Sequence, residues 1–189
     1  MKPINNIIEA IYYLLERLGP TNKMKLIKLL YLADKYHLIH YGRTLTEDTY
    51  YAMNFGPVGS LTRDILEFNG KVLKPSGLQQ ISVLFEPKDT TEIQIKKSAK
   101  SPGRNNLSDS DLEAMRFVLD NYGDMDNFEL SKLTHEYPEW QKHEKDLKHG
   151  TEKRKEIPTE ELASTIPGDP YKVSKEHLQY VKDMIRGNF

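Results

Sequence analysis

Cysteine is absent from the 189 residues. Its absence removes disulfides, thiolate catalysis and cysteine-ligated zinc, and it suits a reducing compartment. An excess of charge of one sign is also missing: 27 Lys and Arg face 28 Asp and Glu, a formal net charge of −1. No long-range positive field therefore draws nucleic acid to the whole molecule, and DNA contact would need a local patch. The longest apolar clusters, such as Leu29 to Ala33, fall far short of the roughly 20 residues a membrane-spanning helix requires. Met1-Lys2-Pro3-Ile4-Asn5-Asn6 leads into amphipathic sequence with no apolar signal core, so a cytoplasmic chain is expected. Internal repeats are absent as well.

What is present suits one folded domain. A core of this size buries roughly 70% of the surface that the unfolded chain exposes. Hydrophobic residues at 38% and charged residues at 29% belong to a folded chain with a solvated surface. Ile4, Ile7, Ile8, Ile11, Leu15 and Leu18 recur every three or four residues, which predicts a helix ending at Gly19-Pro20. Thr21 or Asn22 caps a second helix whose wide apolar face, from Leu26 to Tyr36, leaves Lys25, Lys28 and Lys35 for a narrow solvated stripe. Tyr51, Met53 and Phe55 alternate as in a strand closed by Gly56-Pro57, and a third helix follows to Asn69-Gly70. Ser82 to Phe85 and Glu92 to Lys96 suggest two further strands in a small sheet or hairpin. After the Ser98 to Asn106 loop, Ser110-Asp111-Leu112-Glu113 fits a capping box for a helix to Tyr122, and another helix runs up to Pro138. The fold class expected is α+β and predominantly α-helical, with about six helices and a small antiparallel sheet or hairpin. One domain spans 1–189: a core of about 4–140, an exposed charged segment 141–157, and a C-terminal helical extension 158–189.

Chemistry-bearing constellations are scarce. Gly56-Pro57-Val58-Gly59-Ser60 lacks the Gly-x-Ser-x-Gly order of a nucleophile elbow. His37 and His40 have only Asp34 as a nearby carboxylate, and His135-Glu136 is followed by Glu139 where a zinc protease helix needs a second His. No catalytic residue, metal or cofactor is therefore expected, and the chain does not read as an enzyme. Lys23, Lys25 and Lys28 offer a lysine face for phosphates, with Tyr12, Tyr13 and Tyr31 as stacking surfaces, although such lysines more often form a solvated face.

Three separated segments together resemble the Panacea domain of SocA-like antitoxins and GepA-type phage-associated proteins. The first is Lys25-Leu26-Ile27-Lys28-Leu29-Leu30-Tyr31-Leu32-Ala33, continued by His37-Leu38 and Gly42-Arg43-Thr44-Leu45. The second is Ala52-Met53-Asn54-Phe55-Gly56-Pro57-Val58, and the third runs from Leu130 through His135 to Pro138-Glu139-Trp140. Met53 stands where relatives commonly carry tryptophan, and Gly59-Ser60 replaces a frequent proline. The resemblance covers about Ile4 to Trp140.

This resemblance implies an antitoxin that binds a co-encoded protein toxin of a bacterial or phage pair and blocks it. Delivery of the toxin to a protease and binding of operator DNA as an autoregulator are the alternatives; no membrane partner is expected. The residues it singles out, as scaffold or partner contacts, are Lys28, Tyr31, Gly42, Arg43, Tyr51, Asn54, Gly56, Pro57, Val58, His135, Pro138 and Trp140. Tyr51 and Trp140 are the large aromatics of the kind that dominate binding energy at an interface centre.

Overall fold

The computed structural model describes residues 2–150 and 152–187. Among them the chain forms nine α-helices, one 3-10 helix and six short strands. The α+β, mainly helical class is as expected; the helices outnumber the expected six because a helix forms at Pro75–Leu84, where none was expected, and two short ones follow Tyr137.

The helix α1 (Lys2–Leu18) ends as the Gly19-Pro20 signal predicts, and the Asn22 side chain caps α2 (Lys23–Tyr41) by accepting from Met24 N at 2.8 Å. Leu26, Leu29, Leu30, Leu32, Ala33, Leu38 and Ile39 bury α2 on all sides, as an all-round apolar helix requires. It packs against α1, α5 (Asp109–Tyr122), α6 (Asn127–His135) and α9 (Lys175–Arg186). Lys28 and Lys35 are consequently not on a solvated stripe: both are fully buried. Lys25 donates to the Gly123 carbonyl at 2.5 Å, and Lys23 to Glu67 and the Thr90 carbonyl at 3.3 Å. The lysine face considered for phosphate contact is thus turned inward onto protein acceptors. Tyr12, Tyr13 and Tyr31 are core residues and offer no stacking surface.

Two three-stranded antiparallel sheets flank this bundle. In the first, β5 (Glu92–Ile95) lies between β1 (Thr21–Asn22) and β4 (Phe85–Pro87). The expected strand at Ser82 to Phe85 is mostly the end of α4 (Pro75–Leu84). Pro75 opens that helix, and Ile81 and Leu84, three apart, bury one face of it. In the second sheet, β2 (Tyr50–Met53) lies between β3 (Gly56–Gly59) and β6 (Lys155–Ile157). Gly56-Pro57 therefore begins a strand instead of closing one.

Around α5 the cap is Ser108, not Ser110: Ser108 Oγ accepts from Asp111 N at 3.2 Å, and Asp111 accepts from Ser108 N at 2.8 Å. Glu113 instead receives the hydroxyls of Tyr36 and Tyr41. The charged 141–157 segment is more built-in than its composition suggests. It holds α8 (Glu144–Lys148), whose Leu147 is buried, and β6, whose Ile157 is buried against β2; Thr151 falls outside the described residues. Following it, Thr159–Leu162 forms a 3-10 helix and α9 an amphipathic one, within the helical extension expected at 158–189. No helix among the described residues is long and apolar enough to cross a membrane.

Candidate functional site

The strands β2 and β3 make a hairpin in which Tyr51 pairs Val58, Ala52 pairs Pro57 and Met53 pairs Gly56. Its tip is Asn54-Phe55, and Gly56 completes the reversal at φ +98, a backbone region that side chains disfavour. Space demands glycine independently: a Cβ at Gly56 would lie 2.7 Å from Thr134 Oγ1 and 2.8 Å from Lys28 Nζ. Pro57 has no N–H to donate, which the edge position of β3 tolerates. Its carbonyl is put to use, accepting from Lys28 Nζ at 2.8 Å.

Three elements clamp this tip from behind. Ser131 on α6 donates to the Phe55 carbonyl at 3.0 Å, and Trp140 Nε1, on α7 (Pro138–Gln141), donates to the Met53 carbonyl at 2.8 Å. His135 stacks on Trp140 with ring centroids 3.8 Å apart. Burial, and after it the Lys28 charge, hold the His135 imidazole below its ordinary pKa. Burial pushes Lys28 itself down to about 7; among the described residues no carboxylate pairs with it. The backbone carbonyls of the hairpin are thereby occupied while the Phe55 ring stays 64% exposed.

Two clefts border the tip. One, of about 260 Å³, is lined by Asn54, His135, Trp140, Glu144, Leu147 and Lys148. The other, of about 340 Å³, has Met24, Ile27, Met53, Phe55 and Val58 for walls and Lys23, Lys28, Arg63 and Lys153 as its cations.

Residues 26–141 match the sequence model of the antitoxin SocA-like, Panacea domain. The chain belongs to that family. No curated protein and no solved structure matches it. Within this Panacea domain, Lys28, Asn54, Gly56, Pro57, Val58, His135 and Trp140 converge on the hairpin, whose strand β2 also carries Tyr51, whereas Tyr31, Gly42, Arg43 and Pro138 stand apart. Gly42 caps the far end of α2 at φ +73 against Met184. Arg43 bonds Asp111 at 2.9 Å and so ties that end to the start of α5. Tyr51 is half-buried under the Arg154 guanidinium, 4.6 Å from its ring centroid. Tyr31 is wholly buried, and Pro138 opens α7.

Composition and spacing do not single out the domain's acidic anchors. Glu139 accepts from Tyr31 at 2.5 Å, Lys35 at 2.6 Å and Ser164 at 2.5 Å, and Lys35 also donates to the Leu162 carbonyl at 2.8 Å. This buried knot fastens the 162–164 stretch, beyond the matched span, to the central helix. Asp34 accepts from Leu45 N at 2.7 Å, Thr46 N at 2.9 Å, Tyr50 Oη at 2.7 Å and the Thr46 hydroxyl, yet burial still raises it to about 6. Asp48 caps α3 (Ser60–Leu66) by accepting from Leu61 N and Thr62 N at 2.9 and 2.7 Å, and Gly59 leaves it the room. The one available signal was an apolar helix interrupted at Lys28, Asp34 and Lys35: ionic groups on an all-round buried helix must find internal partners.

Nothing at the hairpin is arranged as a nucleophile with its base. Ser60 Oγ donates to Asp48 at 3.3 Å, and His135 Nε2 meets no hydrogen-bond partner among the described residues. Within the same residues no group of three His, Asp or Glu could hold a metal ion.

Proposed function

We propose that this Panacea domain neutralises a co-encoded protein toxin by direct, stoichiometric binding, with the β2–β3 tip as its presenting element. Membership of the antitoxin family supports the class of partner. The observation that carries the mode of action is the clamped tip: three side chains from three helices hold its backbone, and the exposed Phe55 ring caps the end. A surface ordered before encounter loses less side-chain and loop entropy on binding, so more of the contact energy remains as affinity. Aromatic side chains are the residues that most often carry such energy.

Co-expression with the product of the adjacent gene tests this reading, in host strains with and without their ATP-dependent cytoplasmic proteases. Sequestration predicts growth rescue in both strains and co-purification of the pair. Rescue confined to the protease-competent strain, with toxin levels falling, would instead mark protease delivery.

A further inference from the structure

Beside the hairpin, the larger cleft pairs two features. Its walls are apolar, from Met24, Ile27, Met53, Phe55 and Val58, and its charge is mostly basic: with Lys28 buried against the Pro57 carbonyl and Lys23 set against Glu67, Arg63 and Lys153 remain to face the opening. Glu67 is already engaged by Lys23 at 3.3 Å. Among the described residues Arg63 reaches the Met53 sulfur at 3.7 Å and Asp64 at 4.0 Å, and Lys153 stands exposed at the rim. The chain as a whole has a net charge of −1, so this excess of cations is local. A second exposed aromatic stands on α6, which clamps the tip. Phe128, 73% exposed, sits on α6 one turn before Ser131, which bonds the Phe55 backbone.

We propose that this cleft is the toxin-docking groove and that its occupant is an acidic segment of the toxin bearing an apolar anchor side chain. The anchor lies on the Met24, Ile27 and Val58 walls beside Phe55, and carboxylates flanking it pair with Arg63 and Lys153. This rests on the antitoxin reading above and adds to it the place and the chemistry of recognition. A nucleic-acid strand fits less well. Its phosphates need a continuous basic track, whereas here the cations rim an apolar hollow and the neighbouring Lys25 is consumed by the Gly123 carbonyl. An acidic, apolar-anchored peptide uses both features: the hollow supplies contact area, and charge complementarity supplies orientation and encounter rate.

Calorimetric titration of the full chain against the purified product of the adjacent gene decides the matter. The double charge reversal Arg63→Glu with Lys153→Glu is expected to weaken binding roughly 100-fold and to flatten its salt dependence. Phe55→Ala, which touches only the exposed ring, is expected to cost at least about 10-fold. Lys175→Glu, on α9 at the opposite end of α2, is expected to bind as wild type. Should Arg63→Glu disturb folding, seen as a lowered melting temperature, Lys153→Glu and Phe55→Ala carry the test. Wild-type-like affinity in these variants overturns the groove while leaving the antitoxin reading intact; no binding by the wild-type chain overturns both. If the variants lose affinity for duplex DNA but keep it for the toxin, the occupant is nucleic acid and the proposal falls.

Discussion

Replacing Gly56 with alanine perturbs the hairpin at its narrowest point, and the structure sets the magnitude. At φ +98 a side chain costs about 1–2 kcal/mol in backbone strain alone. The new methyl would also meet Thr134 Oγ1 at 2.7 Å and Lys28 Nζ at 2.8 Å. Thr134 is buried and bonded to the Ser131 carbonyl at 3.0 Å, so the lysine must give way, and its displacement weakens a charged hydrogen bond to Pro57 worth about 1.5–3 kcal/mol. Together these amount to roughly 2.5–5 kcal/mol. For a domain of this size that is a fall in Tm of roughly 5–20 °C. Gly19→Ala is the matched control: its φ is +71, but no heavy atom lies within 4 Å of the added Cβ, so only the strain of about 1–2 kcal/mol is expected. Urea denaturation followed by far-UV circular dichroism measures both. A Gly56→Ala midpoint equal to that of Gly19→Ala, with unchanged m, would refute the crowding at Lys28 and Thr134.

Further predictions concern the buried charges and the tail. Lys28 is held near 7 in the folded chain against 10.5 when unfolded. Between those values the unfolded state binds the extra proton, so stability rises with pH by up to about 1.4 kcal/mol per unit; Lys28→Met should remove that slope from the difference between the two denaturation series, and parallel curves would contradict it. Glu139→Ala strands Lys35 in the core and should cost about 3–5 kcal/mol, while the double change Lys35→Met with Glu139→Leu should recover most of it; equal losses in both variants, by chemical denaturation, would show that the pair itself is not the cause. Deleting residues 142–189 removes β6 and the Leu162 and Ser164 partners of Lys35, so residues 1–141 alone should lack cooperative thermal unfolding, and a sharp calorimetric transition would show that they fold without the tail.

Local patterns disclosed the helical framework, and distance in the chain hid the rest. Three- and four-residue spacing located α1 and α2 because a helix records its buried face in nearest neighbours. The Tyr51-Met53-Phe55 alternation located β2, but Gly56-Pro57 reads locally as a terminator, and only the pairing with Met53 and Ala52 makes it a strand. Lys28 and Lys35 resemble surface residues for the same reason. Their acceptors, Pro57 and Glu139, lie 29 and 104 residues further on, where periodicity carries no information. At 141–157 high charge marked exposure for most residues and left Leu147 as the one to bury; Ile157 is buried as well, and these single apolar residues suffice to seat a short helix and an edge strand. Family resemblance named the hairpin residues as a set; the geometry separates those that hold the tip, Lys28, Gly56 and Trp140, from Asn54 and the unheralded Phe55 that form it.

The most direct test of direct neutralisation is the mass of the assembly formed when the purified chain and the purified product of the adjacent gene are mixed without protease or nucleotide. Size-exclusion chromatography with light scattering should give one peak at the summed mass of a fixed stoichiometric complex, with the toxin inactive within it. Two separate peaks at the masses of the free proteins, at micromolar concentration and moderate salt, would contradict the account.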